Sequence, residues 1–191
     1  MKNPVLLLMF FIASNFVYSQ PNQGGTPLTY SQDYFNLFLK GDTSQKNIAT
    51  FITPVIDNKA ERKKADVYPT LAVGGINLPA DIDVLSTASM QYLADSSKLY
   101  LMKIVSSTAS GISINFNNFN LPVGARLFFY NASKTMHAGC FTNKNNRTDF
   151  KFNTQGITGN TIFIEYYEPK IITTVPKLHI YSIGHEFSRA K

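Results

Sequence analysis

The sequence predicts an all-β fold, an antiparallel β-sandwich of jelly-roll-like type, preceded by a signal peptide and a short, partly helical N-terminal segment. Three observations predict it. From Val67 onward, short apolar stretches alternate with polar residues at a period of two, as half-buried strands do. Clusters of Gly, Pro, Asn and Ser separate these stretches, and they recur every ten to fifteen residues. No segment of helical period lies between them, which removes parallel α/β folds; an open barrel is the alternative.

The chain begins as an exported protein does. Lys2 supplies a positive charge, Val5 to Ala13 form an apolar run, and Val17-Tyr18-Ser19 is a small-residue cleavage box. This predicts a signal peptide over 1–19, cleaved between Ser19 and Gln20, and hence a secreted, extracellular protein. An uncleaved anchor is disfavoured because the run is short and Asn15 interrupts it.

Residues 20–65 read as a second segment. Pro21 to Pro27 has the composition of a flexible leader. Tyr30, Tyr34, Phe35, Phe38 and Leu39, spaced by three and four, predict a short amphipathic helix ended by Gly41. Ala60 to Ala65 is charged without apolar period and reads as a solvated link.

The sandwich domain spans 66–188. Its strands are expected at Tyr100–Val105, Ile112–Phe116, Ala125–Tyr130, Thr161–Tyr167 and Lys177–Ile183. The expected core is Leu101, Ile112, Ile114, Phe116, Leu127, Phe129, Ile162, Ile164, Leu178 and Ile180. Residues 189–191 form a basic end.

Composition narrows the function. With 44% hydrophobic and 16% charged residues, the chain is neither intrinsically disordered nor a polytopic membrane protein. The net charge of +6 is spread out, apart from Glu61-Arg62-Lys63-Lys64, so no nucleic-acid partner is expected. Nor is a membrane partner expected once the leader is removed. Cys140 is the sole cysteine, which excludes an internal disulfide, and its small and apolar neighbours predict a buried thiol.

No catalytic constellation is visible. There is no Gly-x-Ser-x-Gly, and Val73-Gly74-Gly75-Ile76 reads as a turn rather than a phosphate loop. His185-Glu186 begins like a zinc-protease helix, but the position of the second His is taken by Arg189. His179 alternates with Leu178 and Ile180 and so belongs to a polar strand face. Asp81 and Asp83 share one face, an arrangement that suits a solvated strand edge or a cation such as calcium. Glu165 and Glu168 are the other carboxylate pair, with Glu165 expected to face outward. Tyr166 and Tyr167 point to opposite faces, and Trp is absent, so a glycan groove has at most one stacking platform there. The expectation is no catalytic residue, no metal and no cofactor.

Several motifs in order carry a resemblance. They are Tyr100-Leu101-Met102-Lys103-Ile104 followed by Ser106-Ser107; Asn115 to Leu127, with Leu121-Pro122-Val123-Gly124-Ala125 within it; Gly139-Cys140-Phe141-Thr142-Asn143-Lys144-Asn145-Asn146; Ile164-Glu165-Tyr166-Tyr167-Glu168-Pro169; and Leu178 to Phe187. Together the stretch from Leu99 to Phe187 resembles the pro-region that precedes the catalytic domain in secreted lysyl-endopeptidase-like serine protease precursors. Tyr100 departs from the Trp common in that family, and the family's catalytic His, Asp and Ser have no matching positions. The resemblance implies a non-catalytic pro-domain, either a truncated precursor or a free-standing homologue. It would assist folding of, or inhibit, a trypsin-like serine protease domain in cis or in trans. Arg189 and Lys191 would then mark a processing site. The alternative is a secreted or cell-surface adhesive module that binds glycan or protein.

Overall fold

The computed structural model describes residues 22–37, 48–65 and 74–187. The Ser19–Gln20 junction, Phe38, Leu39, Gly41, Val73 and the basic end with Arg189 and Lys191 lie outside the described residues. The N-terminal part holds a 3-10 turn at Leu28–Tyr30, then α1 (Gln32–Asn36), β1 (Ala49–Ile52) and α2 (Asn58–Ala65). After it come β2 (Gly75–Asp83), α3 (Val84–Thr87), β3 (Ser89–Tyr92), β4 (Lys98–Val105) and β5 (Gly111–Asn120). The rest is β6 (Arg126–Asn131), β7 (His137–Phe141), β8 (Phe152–Asn153), β9 (Ile157–Thr158), β10 (Thr161–Glu168) and β11 (Lys177–Glu186).

The chain is mostly β, in two sheets. The first runs β1-β4-β10-β6-β7, and the second runs β2-β11-β5-β8. Two short strands share an edge with a neighbour. β3 covers Lys98 to Leu101 of β4 while β1 covers Met102 to Val105, and β9 lies beyond β8 along β5. Every described pair is antiparallel except β1 with β4.

All five predicted strands are present. The additional ones are at most four residues long or carry a Pro or Gly that hides the pattern. β2 includes Gly75 and Ile76, read from sequence as part of a turn; it carries Pro79 and buries only Leu78 and Ile82. Pro cannot donate to a ladder and is tolerated at a sheet edge, which is where β2 lies. β7 is hidden by Gly139, whose φ of 120° belongs to glycine and where a Cβ would stand 2.5 Å from the Leu127 carbonyl oxygen.

Side chains of both sheets form one apolar core. Nine of the ten expected core residues lie in it. Phe116 sits at its centre, against Phe119, Phe129 and Phe152, with Phe119 and Phe152 stacked at 4.2 Å. Each fully buried side chain of this size contributes about 1.5–3 kcal/mol. Leu101 is the exception. It is buried, but with Leu99 and Tyr130 on the opposite face of the first sheet. β4 is apolar on both faces, so alternation could not assign its sides: Tyr100, Met102 and Ile104 point between the sheets.

That opposite face is covered by the N-terminal arm, and three expectations change there. Asn22 to Pro27 is no flexible leader, because Gln23 N–H donates to the Cys140 carbonyl (3.0 Å) and Cys140 N–H to that of Gly24 (3.2 Å). Glu165 does face away from the core, yet it is only 1% exposed because the arm lies over it. Ala60 to Ala65 is not a link but the body of α2. Asp57 Oδ1 accepts the N–H groups of Lys59 and Ala60 as a cap would, and Ala, Glu, Arg and Lys carry high helix propensity without any apolar stripe.

Candidate functional site

Three places gather polar or exposed groups. The first is a buried hydrogen-bond chain that sequence reasoning missed. Ser106 Oγ lies 2.7 Å from His185 Nδ1, and His185 Nε2 lies 2.8 Å from Asn58 Oδ1. Thr53 Oγ1 lies 2.8 Å from the same serine oxygen. The Asn58 carbonyl oxygen can only accept, so Nε2 carries the proton and Nδ1 accepts from Ser106. Burial lowers the His185 pKa, which keeps the ring neutral in that role.

Ser, His and Asn in this order have the composition of a nucleophilic triad. Their placement does not serve one as folded. Ser106 is 0% exposed and His185 1%, so no substrate reaches the oxygen. What the hydrogen-bond chain does is tie elements together: Thr53 follows β1, Asn58 opens α2, Ser106 follows β4 and His185 lies in β11. A bulge between Ile180 and Ser182 moves the buried positions from Leu178 and Ile180 to Ile183 and His185, turning His185 inward. Period-two reading cannot see that shift.

The second place is the carboxylates. Asp81 and Asp83 do share an exposed face of β2. Asp81 lies 2.7 Å from His179 Nε2, whose other nitrogen lies 2.7 Å from Asn117 Oδ1, and Asp83 caps the Leu85 N–H at 2.9 Å. His179 and His185 stand six residues apart on β11, about 20 Å along a strand, and do not meet. Among the described residues no group of three or more His, Cys, Asp or Glu side chains is placed to hold a metal. Glu168 pairs with Lys98 at 2.7 Å. Glu165 instead accepts the N–H groups of Leu28 (2.7 Å) and Thr29 (3.0 Å) and the Thr29 hydroxyl, which also meets Tyr130 Oη. Burial raises its pKa, against the lowering effect of those hydrogen bonds. Burial likewise pushes up the Cys140 thiol.

The third place is an end of the molecule where loops meet. Asn146 clamps the loop after β5, accepting the Leu121 N–H and donating to Asn120 Oδ1 and the Leu121 carbonyl, at 2.8–3.0 Å. Asn120 Nδ2 donates to the Val175 carbonyl (3.0 Å). Gly124, with φ of 84°, brings this loop against Pro169, where a Cβ would be 3.3 Å from the proline ring. Phe150 is held at φ of 54°, unusual for an aromatic residue, by bonds from Phe119 N–H and to the Arg147 carbonyl. Lys177 Nζ stands 5.2 Å from its ring centroid.

These loops present apolar side chains to solvent. Ile171 is 80%, Val175 73% and Val123 64% exposed, with Phe150 and Ile172 also exposed. Residues 121–125, 142–151 and 169–177 hold five cations, Lys144, Arg147, Lys151, Lys170 and Lys177, against Asp149 alone. Their net of +4 is most of the +6 of the whole chain. Next to Lys170, the turn between β3 and β4 and helix α1 border a cavity of about 460 Å³, with Tyr34, Tyr92, Asp33 and Asp95 among its lining residues. Hydrogen bonds from Ser97 hold the Asp95 carboxyl below the usual carboxylate range, with a smaller contribution from Lys170.

No protein-family model, curated protein or solved structure matches this chain.

Proposed function

We propose that this chain is a secreted, non-catalytic β-sandwich module of jelly-roll type, the pro-region of a lysyl-endopeptidase-like serine protease precursor. In that role it assists folding of a trypsin-like protease domain or holds it inactive. The sandwich reading is supported by strand order. If β2, β4, β5, β6, β7, β8 with β9, β10 and β11 are lettered B to I, the sheets run B-I-D-G and C-H-E-F, the order of two interlocked Greek keys. Export is supported by the 1–19 sequence pattern, and processing at Arg189 or Lys191 by the specificity of the resembled family.

The observation that carries a binding rather than a catalytic role is the contrast inside the molecule. Its Ser–His pair is sealed, while large apolar side chains of its loops stand uncovered. Exposed apolar clusters of this kind mark interaction surfaces. The test is to titrate the purified chain against a lysine-specific trypsin-like protease and follow both amidase activity and co-elution. Dose-dependent inhibition, or faster recovery of activity on refolding the protease, is expected. No complex and no effect on either rate would overturn the reading.

A glycan-binding adhesive module is the second reading, favoured by the cavity that Tyr34 and Tyr92 line with Asp33 and Asp95. Phenol faces and carboxylates are groups that stack on sugars and accept their hydroxyl protons. A glycan array with Tyr92→Ala as control distinguishes the two: selective hits lost in the variant support it, and a blank array removes it.

A further inference from the structure

We propose that the loop end docks on an anionic phospholipid bilayer, with the tips of the 169–177 loop inserted at the headgroup level. It concerns the same uncovered loops that the protease reading draws on, needs no protease, and differs from the sequence expectation of no membrane partner.

The exposed apolar groups there are mainly branched aliphatics. Ile171, Ile172 and Val175 lie on one loop bracketed by Pro169 and Pro176. Residues of this type gain by leaving water for the acyl boundary, where no shaped cavity is needed. Protein-binding surfaces favour aromatic, Met and Arg anchors instead, and here Phe150 is the only exposed aromatic residue of the three loops. The charge agrees. Lys170 and Lys177 flank the apolar tip in sequence, and four of the five cations on these loops are Lys. Lysines on either side of an aliphatic loop are complementary to an anionic bilayer, whose surface attracts Lys and whose interfacial region accepts the aliphatic side chains between them. Lys177 stands beside the Phe150 ring, and the Phe150 carbonyl accepts the Phe119 N–H of β5, which joins this cation to the sheet.

The experiment uses the absence of Trp from the chain. In the full chain, Ile172→Trp places a single fluorophore at the tip, and Tyr181→Trp, on the exposed face of β11, serves as a control away from the loops. Each is mixed with vesicles of phosphatidylglycerol and phosphatidylcholine, or of phosphatidylcholine alone. Expected is a blue shift of the Ile172→Trp emission and its quenching by brominated lipid, on the anionic vesicles only, with Tyr181→Trp unchanged. Adding Lys170→Glu and Lys177→Glu should weaken the vesicle partition by about tenfold or more, as should raising the salt. Because the fluorophore reports its own surroundings, adsorption through the apolar run at Val5 to Ala13 does not mimic the signal. An unshifted emission, an equal shift on neutral vesicles or indifference to charge reversal would overturn the proposal. A shift with soluble polyglutamate but not with vesicles would also overturn it, in favour of an acidic protein partner.

Discussion

Under the N-terminal arm, Leu99, Leu101 and Tyr130 are wholly buried against Leu28, Phe35 and Phe163. At the loop end, Val123, Ile171 and Val175, similar in chemistry, stand in solvent. The difference is what each patch has beside it. The covered face offers Glu165, whose two oxygens take the orphan N–H groups of Leu28 and Thr29, so the arm can descend without leaving backbone polar groups unpaired. The loop end spends its polar side chains, Asn146 above all, on holding its own loops together. One surface is built to receive a segment of this chain, and the other is left open.

The largest effect is expected where the covered face is emptied. Leu101→Ala removes a fully buried side chain from the small second cluster and should cost about 2–5 kcal/mol in urea unfolding. If the arm were merely laid over the surface, the loss would be that of an exposed site, below about 0.5 kcal/mol. A value in that lower range would break the comparison.

Next in size is the pH dependence of the anchor. Burial raises the Glu165 pKa, so the folded state binds this proton more tightly than the unfolded chain. Its stabilising contribution is therefore fully present below the unfolded value, about 4.3, and is lost as pH rises through the raised folded value. Glu165→Gln keeps the shape but cannot ionise. The stability difference, wild type minus variant, should be most favourable near pH 4 and shrink toward pH 7. The lowered Asp95 and Asp149 carboxyls work in the opposite sense but equally in both proteins, so they cancel from the difference. A difference constant across that range would mean that Glu165 is not the anchor.

These two positions also mark how far the sequence could be read. The strand around Ile112 is legible because one face is apolar and the other is polar, and those around Phe129 and Ile164 because they are short runs of β-branched and aromatic residues between turns. Leu101 reads as core, but its face does not, since β4 is apolar on both sides. Glu165 reads as outward-facing because alternation reports orientation relative to one sheet and nothing of what lies above it. His185 was lost through a bulge, which reverses phase without any sequence mark. The loop end carries its own signal in the sequence. Ile171, Ile172 and Val175 sit between Pro169 and Pro176, and prolines so close together disfavour a central strand, which leaves the segment between them to a loop.

The smallest effect is the most discriminating. Ile171→Ser removes an aliphatic group from a side chain that is 80% exposed, and its folded surroundings differ little from those in the unfolded chain. Stability should stay within about 0.5 kcal/mol of wild type by urea unfolding, an order of magnitude below the upper cost of Leu101→Ala. A loss of two or more would mean that Ile171 packs against a part of this chain, and the loop end would become a second covered face. An unchanged stability leaves Ile171 exposed for reasons other than folding. A contiguous apolar tip that contributes nothing to the fold is kept at a cost in solubility, and that cost is offset only when something outside the molecule covers it.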